Sequence, residues 1–131
     1  MKVKLLDLWS ARFAFIKIFN FQFDDAKLSY ILSRIAKKIN SELEDIDKER
    51  LKIVEKYADK DERGKNKITS DNRILLKDNE AFNKEWLDFL ETEIELDVWL
   101  IPWKAIEIVK PIPNEMIALE KFMEEPKEEK K

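Results

Sequence analysis

Four carboxylates recur at every second position in the C-terminal half of the chain: Glu91, Glu93, Glu95 and Asp97. Carboxylate oxygens are the ligands that Mg²⁺ prefers, so this run could hold a magnesium ion. The same spacing places all four side chains on one side of a β-strand, where solvent-facing charge is ordinary. The Lys or His that usually accompanies a two-metal nuclease site does not follow the run. We therefore interpret it as the solvated side of a strand and keep a magnesium site as the alternative.

Three residue types that carry much of enzyme chemistry are absent or nearly so. The chain has no His, no Cys and a single glycine, Gly64. Without His or Cys there is no imidazole base near neutral pH, no thiolate nucleophile and no ordinary zinc or haem site. One glycine cannot form a glycine-rich phosphate-binding loop. We expect a protein without catalytic residues, cofactor or metal.

Two charged residues fall within the apolar face of a long predicted helix. Glu42 and Arg50 lie among its leucines and isoleucines, but eight residues separate them, which is about 12 Å of helix rise. They are too far apart to pair with each other. Because an unpaired buried charge is costly, we predict that each pairs with a residue of another element or another chain. A structural ion pair explains this pattern better than catalysis does.

Four tryptophans are spread along the chain: Trp9, Trp86, Trp99 and Trp103. The helical period places Trp86 in the core. Trp99 points away from the apolar side of its predicted strand, and Trp103 follows a proline in a predicted loop. Exposed tryptophan is a frequent interface anchor, although a neighbouring helix often covers such a residue. Trp99, Trp103 and Trp9 are therefore our interface candidates.

Basic residues on the back of the long helix could form a nucleic-acid surface: Lys27, Arg34, Lys37 and Lys38. Four charges are ordinary for a solvated helix face, and the isoelectric point of about 5.2 is low for a nucleic-acid-binding protein. A nucleic-acid-associated factor, assisted by Mg²⁺ at the acidic strand, is the alternative function.

The element that must position these residues is one long helix of about residues 25–59. Asp24 or Asp25 caps it, and no Gly or Pro interrupts it before Gly64. Its apolar residues recur with a period of about 3.6, which is typical of a straight helix in a globular domain rather than a coiled coil. The apolar stripe, Leu28 to Tyr57, is about 43 Å long at 1.5 Å per residue. Helices 11–19 and 79–92 supply only about 34 Å of cover. The C-terminal helix could close the gap, so a homo-oligomer, most simply a two-fold dimer, is favoured and not required.

The remaining segments predict an α+β fold that is mostly helical and forms a single domain over residues 1–124. We predict a strand or extended arm at 1–8, a helix at 11–19 capped by Ser10, a hairpin near Ile68 and 74–76, a helix at 79–92, strands at 93–100 and 106–109, a helix at 114–124 and a flexible charged tail at 125–131. The strand at 106–109 is predicted from a short apolar run that lies before Pro111 and Pro113.

Composition sets the setting in which the protein is expected to work. Of the 131 residues, 40% are charged, mostly Lys and Glu, which resembles a heat-adapted composition. A Lys-rich proteome of biased base composition is the alternative explanation. The absence of cysteine fits an intracellular or intravirion environment, and no signal-peptide or membrane-spanning pattern is present. We expect the protein in the cytoplasm of a host cell or in a virion.

The order of these signals resembles a family of short proteins from tailed phages and prophages, the domain of unknown function 1617 family. The similar pieces are MKVKLLDLWSAR at 1–12, Leu-Ser-Tyr at 28–30, DNEAFNKEW at 78–86, ELDV at 95–98 and ALEKF at 118–122. They span nearly the whole chain, although Asp24 stands where the family pattern has proline. The resemblance implies a phage context and an α-rich fold, and it supplies no catalytic residues.

Together these observations predict a non-enzymatic phage-type accessory protein that works by protein–protein binding. Its partner is expected to be a second copy, a virion component or a host protein. Residues 41–62 carry net negative charge and residues 63–84 net positive charge, which suits attraction within or between chains better than a uniform nucleic-acid surface.

Overall fold

The central element is the long helix. In the computed structural model, which describes residues 1–126, helix α3 spans Ala26–Tyr57. The carboxylate of Asp25 caps it by accepting hydrogen bonds from the amides of Lys27 at 2.9 Å and Leu28 at 3.3 Å. Its 32 residues extend over about 48 Å. One uninterrupted helix beginning at an aspartate cap is as predicted.

The apolar stripe of α3 is covered within a single chain. Helices α1 (Leu5–Ser10), α2 (Arg12–Phe19) and α4 (Asn79–Leu90) all pack against it. Its buried residues are Leu28, Leu32, Ile35, Ile39, Ile46, Ile53 and Val54. The shortage of cover that we inferred from helix lengths is therefore wrong, because helix α1, which was not predicted, packs against α3 as well.

A two-stranded antiparallel sheet joins the N-terminus to the segment that follows α4. Strand β1 (Lys2–Lys4) pairs with strand β2 (Glu93–Glu95), with Val3 opposite Ile94. The chain then turns helical at Leu5, earlier than predicted. The amide of Lys4 donates to the carboxylate of Asp7 at 2.9 Å, which satisfies a free donor at the start of α1. Ser10 caps no helix, so that prediction is wrong.

The loop that connects α3 to α4 folds back on itself like a small hairpin. Isolated antiparallel bridges join Ala58 to Leu76, Lys60 to Asn66 and Ile68 to Ile74. Gly64 has a φ of 78° at the first turn, a conformation that favours glycine. The carboxylate of Asp78 then accepts from the amide of Ala81 at 3.0 Å and caps α4, which lies within the predicted helix 79–92.

The C-terminal third contains the largest difference from the predicted elements. Residues 106–109, predicted as a strand, belong to helix α5 (Trp103–Val109). Ala105, Ile106 and Val109 are buried at a spacing of one and three residues, and a short apolar run of this kind does not separate helix from strand. The predicted last helix is present as α6 (Pro113–Leu119), which a 3₁₀ turn, Glu120–Phe122, continues.

One apolar core joins these elements into the predicted α+β, mostly helical fold. The rings of Phe15 and Phe122 meet edge to face at 5.1 Å and tie α2 to the C-terminal turn. Within residues 1–126 no charged or polar residue is buried. Residues 127–131 of the predicted tail lie outside the described residues. None of the described helices combines the length and the apolar character that crossing a membrane requires.

Candidate binding groove

The acidic run extends from Glu91, which ends α4, through β2 to Asp97 beyond it, and three of its four carboxylates pair with cations. Glu91 pairs with Lys4 at 2.6 Å, Glu95 with the N-terminal ammonium at 3.2 Å, and Asp97 with Lys38 at 3.9 Å. The hydrogen bond that the Lys4 ammonium donates to Glu91 raises the pKa of Lys4. Over the described part of the chain, no three acidic residues converge as ligands for a metal ion. The geometry therefore gives the magnesium alternative no donor set.

The outer edge of β2 is defined by its hydrogen bonds to β1. The amide of Leu96 donates to the carbonyl of Met1 at 2.7 Å, and the ammonium of Met1 donates back to the carbonyl of Leu96 at 2.9 Å. Alternate residues of an antiparallel strand direct their backbone groups to opposite edges. The backbone N–H and C=O groups of Glu95 and Asp97 therefore point away from β1, toward α3.

A groove of about 400 Å³ separates this edge from α3. Its helical wall consists of Arg34, Lys37, Lys38, Ser41 and Glu42, and its strand wall of Glu95, Leu96 and Asp97. The ammonium of Lys38 bridges the two walls by donating to the backbone carbonyl of Asp97 at 2.7 Å. This bond confirms the direction of that carbonyl. The groove thus brings a cationic helix face together with an open strand edge.

The cations of the helical wall differ in whether they have a carboxylate partner. Lys38 bonds to Asp97, whereas Arg34 and Lys37 have no carboxylate within 4.0 Å among residues 1–126. The carboxylate of Asp97 is itself fully exposed, and that of Glu95 is paired with the N-terminus. Of the four basic residues that we grouped from the sequence, Lys27 is the one that does not line this groove.

Trp99 lies at the end of the groove with 59% of its surface exposed. A smaller cavity of about 160 Å³ adjoins it, where Trp99 lies with Val98 and Arg34. On its other side, a shallow cavity of about 460 Å³ is lined by Ile31, Leu100, Pro102 and Glu124. The prediction that Trp99 points outward therefore agrees with its position, and the ring forms one end of the binding surface.

The other two tryptophans that we named as interface candidates are half-buried. The ring of Trp9 packs edge to face on Trp86 at 5.4 Å, and the guanidinium of Arg12 lies over it at 4.1 Å. Burial lowers the pKa of Arg12, and the positive charge of Arg50 lowers it further. Trp103 begins helix α5 instead of lying in a loop, so its predicted placement is wrong. Neither ring offers a surface comparable to that of Trp99.

The two charged residues within the apolar stripe of α3, Glu42 and Arg50, are not buried. Arg50 donates to the carboxylate of Asp47 at 3.1 Å, one turn earlier on the same helix, and its side chain is 36% exposed. The predicted buried pair with another element is therefore wrong, because the long side chain reaches solvent along the helix. Glu42 is half-buried in the wall of the groove, without an ion pair within the described residues.

Sequence reasoning identified the cations and Trp99 separately but not the groove that joins them. The signals were the shared helix face of Arg34, Lys37 and Lys38 and the outward direction of Trp99. What the sequence does not specify is that residues 95–100 lie along this part of α3. Comparison with protein-family models, curated proteins and solved structures finds no match for the chain.

Proposed function

We propose that this chain is a non-enzymatic accessory protein of phage or prophage type that acts by binding another protein. The observation that carries the proposal is the exposed ring of Trp99 between two cavities. Tryptophan is strongly enriched among the residues that dominate binding energy at protein interfaces. The phage context rests on the sequence resemblance, and a virion component or a host protein is the corresponding partner.

The surroundings of Trp99 have the anatomy of a small interface. Leu100, 42% exposed, lies with Ile31 and Pro102 at the apolar end, while Arg34 and Lys37 supply a charged rim. An apolar centre with a polar rim is the arrangement common to protein–protein interfaces. The remaining ring surface of Trp99 is free to pack against a partner.

Self-association is a second candidate, favoured by a different surface. Phe13 and Ile16 lie one turn apart on α2 and are 66% and 53% exposed. An apolar pair on a helix is self-complementary across a two-fold axis, which is the commonest symmetry of soluble oligomers. A homodimer through α2 would leave the groove free for another partner.

The nucleic-acid alternative is supported by the closeness of Trp99 and Arg34, since stacking and cationic contacts recognise single strands. The net charge of −3 opposes it. Titration with an oligonucleotide at two salt concentrations tests it, because phosphate contacts give a steep salt dependence.

Photo-crosslinking tests the proposed function directly. Benzoylphenylalanine replaces Trp99 in one sample and Leu87 in a matched control, since Leu87 is also exposed but lies on α4. Both are irradiated in an extract of cells in which the gene is expressed. We expect a defined protein adduct from position 99 and not from position 87. Equal adducts from both positions, or none from position 99, would contradict the proposal.

A further inference from the structure

We propose that the groove between α3 and β2 binds an extended acidic segment of a partner protein, which adds to β2 as a third strand. This inference rests on the proposed function and specifies its ligand. The occupant is a peptide with alternating carboxylates and at least one apolar side chain. Strand addition to an exposed sheet edge is an established mode of peptide recognition.

The backbone of β2 provides the first part of the argument. The sheet has two strands, so β2 has one edge paired with β1 and one edge open toward α3. Within residues 1–126 the amides of Glu95 and Asp97 donate to no protein acceptor. An added strand would accept from these amides and donate to the carbonyls beside them. Such main-chain bonds supply affinity without requiring a particular sequence.

The helical wall carries three cations, Arg34, Lys37 and Lys38, against one carboxylate, Glu42, and this excess favours an acidic occupant. Arg34 and Lys37 lie on the wall opposite the open edge and have no carboxylate partner in the described part of the chain. Lys38 now donates to the carbonyl of Asp97. When an incoming amide takes that carbonyl, the ammonium of Lys38 is released toward a carboxylate of the peptide. Three cations are then available along one side of the added strand.

The apolar end of the groove fixes the position of the peptide. Trp99 and Leu100 border the shallow cavity that Ile31 and Pro102 line. An apolar side chain of the peptide packs on the ring of Trp99, two residues beyond the paired edge at Asp97. The groove volume of about 400 Å³ is within the range of small binding sites, so it accommodates a few residues rather than a folded domain.

Amide hydrogen exchange, read residue by residue by NMR, tests the strand addition. The probe is an eight-residue peptide that alternates Glu with apolar residues, one of them aromatic, and the matched control peptide has Lys in place of every Glu. We expect saturating acidic peptide to slow exchange at the Glu95 and Asp97 amides at least fivefold. The Leu96 amide, already bonded to Met1, should change much less. The Lys peptide should leave all three amides unchanged.

A double charge reversal tests the cationic wall. In Arg34→Glu/Lys37→Glu we expect the affinity for the acidic peptide to fall at least tenfold and that for the Lys peptide to rise. Arg63→Glu/Lys65→Glu is the matched control, because it changes the net charge equally at exposed residues of the hairpin. That control should bind the acidic peptide within twofold of the wild type.

Several results would overturn the inference. The first is that the acidic peptide and the Lys peptide bind with equal affinity. The second is that both double variants lose the same affinity for the acidic peptide. The third is that the acidic peptide does not slow amide exchange at Glu95 and Asp97. Tighter binding of an oligothymidylate of eight nucleotides would assign the groove to single-stranded nucleic acid instead. Protection that rises with protein concentration alone would assign it to a second copy. A position-99 crosslink to a protein would still support the proposed function in each case, so the two failures are distinguishable.

Discussion

The ammonium of Lys38 donates to the backbone carbonyl of Asp97 at 2.7 Å, although the carboxylate of the same residue is 3.9 Å away. This bond fastens the segment after β2 to the long helix. It also gives the outward carbonyl of Asp97 a hydrogen-bond partner. The position of Trp99, two residues further along the chain, depends on how this segment is held against α3.

We expect Lys38→Met to lower the free energy of unfolding by about 1 kcal/mol, because it removes a charge-assisted bond between two elements. Urea denaturation measures the change. Lys37→Met is the matched control, since Lys37 lies next to Lys38 on the same helix but has no ion pair in the described region. The control should remain within about 0.5 kcal/mol of the wild type. Equal losses in both variants would mean that the Lys38–Asp97 bond contributes nothing specific.

The edge-to-face contact of Trp9 with Trp86 should contribute to stability beyond the area that it buries. The pair joins α1 to α4 at a centroid distance of 5.4 Å. A double-mutant cycle with Trp9→Leu and Trp86→Leu should give a coupling energy of about 1 kcal/mol, because Leu keeps an apolar side chain without the ring. Thermal or urea unfolding of the wild type, the two single variants and the double variant measures this coupling energy.

Trp99→Leu serves as the control for that cycle. Because Trp99 is largely exposed, the variant should unfold within about 0.5 kcal/mol of the wild type, and its combination with Trp9→Leu should be additive. A coupling between Trp9 and Trp99 as large as that between Trp9 and Trp86 would show that the cycle reports a general loss of aromatic surface.

The cap of α3 makes stability depend on pH in the acidic range. Hydrogen bonds from the Leu28 amide and from Lys104 lower the pKa of Asp25 below its ordinary value of 3.8. The unfolded chain therefore binds more protons just below pH 3.8, and stability rises with pH through this range. The contribution of Asp25 is complete above pH 3.8 and is lost as the pH falls through the lower folded value.

Asp25→Asn should reduce this acid-side dependence while keeping a side-chain acceptor for the helix cap. Asp25→Ala should remove both, and should lower the urea midpoint at pH 7 more than Asp25→Asn does. Urea midpoints at several pH values from 2 to 7 measure both effects. An unchanged slope in Asp25→Asn would mean that other carboxylates cause the dependence.

The elements predicted correctly from the sequence are those with strong local signals. The long helix has an aspartate cap, an unbroken apolar period and no Gly or Pro, so local chemistry alone specifies it. Helix α4 likewise begins at the predicted residue, Asn79, after the cap at Asp78. Helix α5 was missed because its apolar run is as short as a strand, and the surrounding contacts decide between the two structures.

The groove could be predicted only in part for a related reason. The face shared by Arg34 and Lys38 follows from helical spacing, and the outward direction of Trp99 follows from strand alternation. Their proximity depends on the long-range pairing of Met1 with Leu96, which places the segment after β2 beside α3. The prediction that Arg50 is buried was wrong for the opposite reason. A long, flexible side chain can extend from the apolar stripe to solvent without any change in the backbone.

Arg50→Gln should therefore have little effect on stability. The pair with Asp47 lies on the helix surface and is partly exposed, and such pairs contribute at most a few tenths of a kcal/mol. Removing the charge also relieves repulsion with Arg12, whose pKa Arg50 lowers. We expect a change within about 0.5 kcal/mol in urea denaturation. A loss of about 3 kcal/mol would restore the interpretation of Arg50 as a buried structural ion.

The self-association that we propose through α2 gives the last prediction. Phe13 and Ile16 expose more than half of their surface on adjacent turns of one helix. Ile16→Glu places a charge at the centre of that pair, and a two-fold contact brings the two new carboxylates together. Light scattering at micromolar concentration should give twice the chain mass for the wild type and the chain mass for Ile16→Glu. Leu87→Glu, an equally exposed site on α4, should remain dimeric. A wild-type mass of one chain, unchanged on tenfold concentration, would eliminate the dimer and leave the groove as the proposed binding surface.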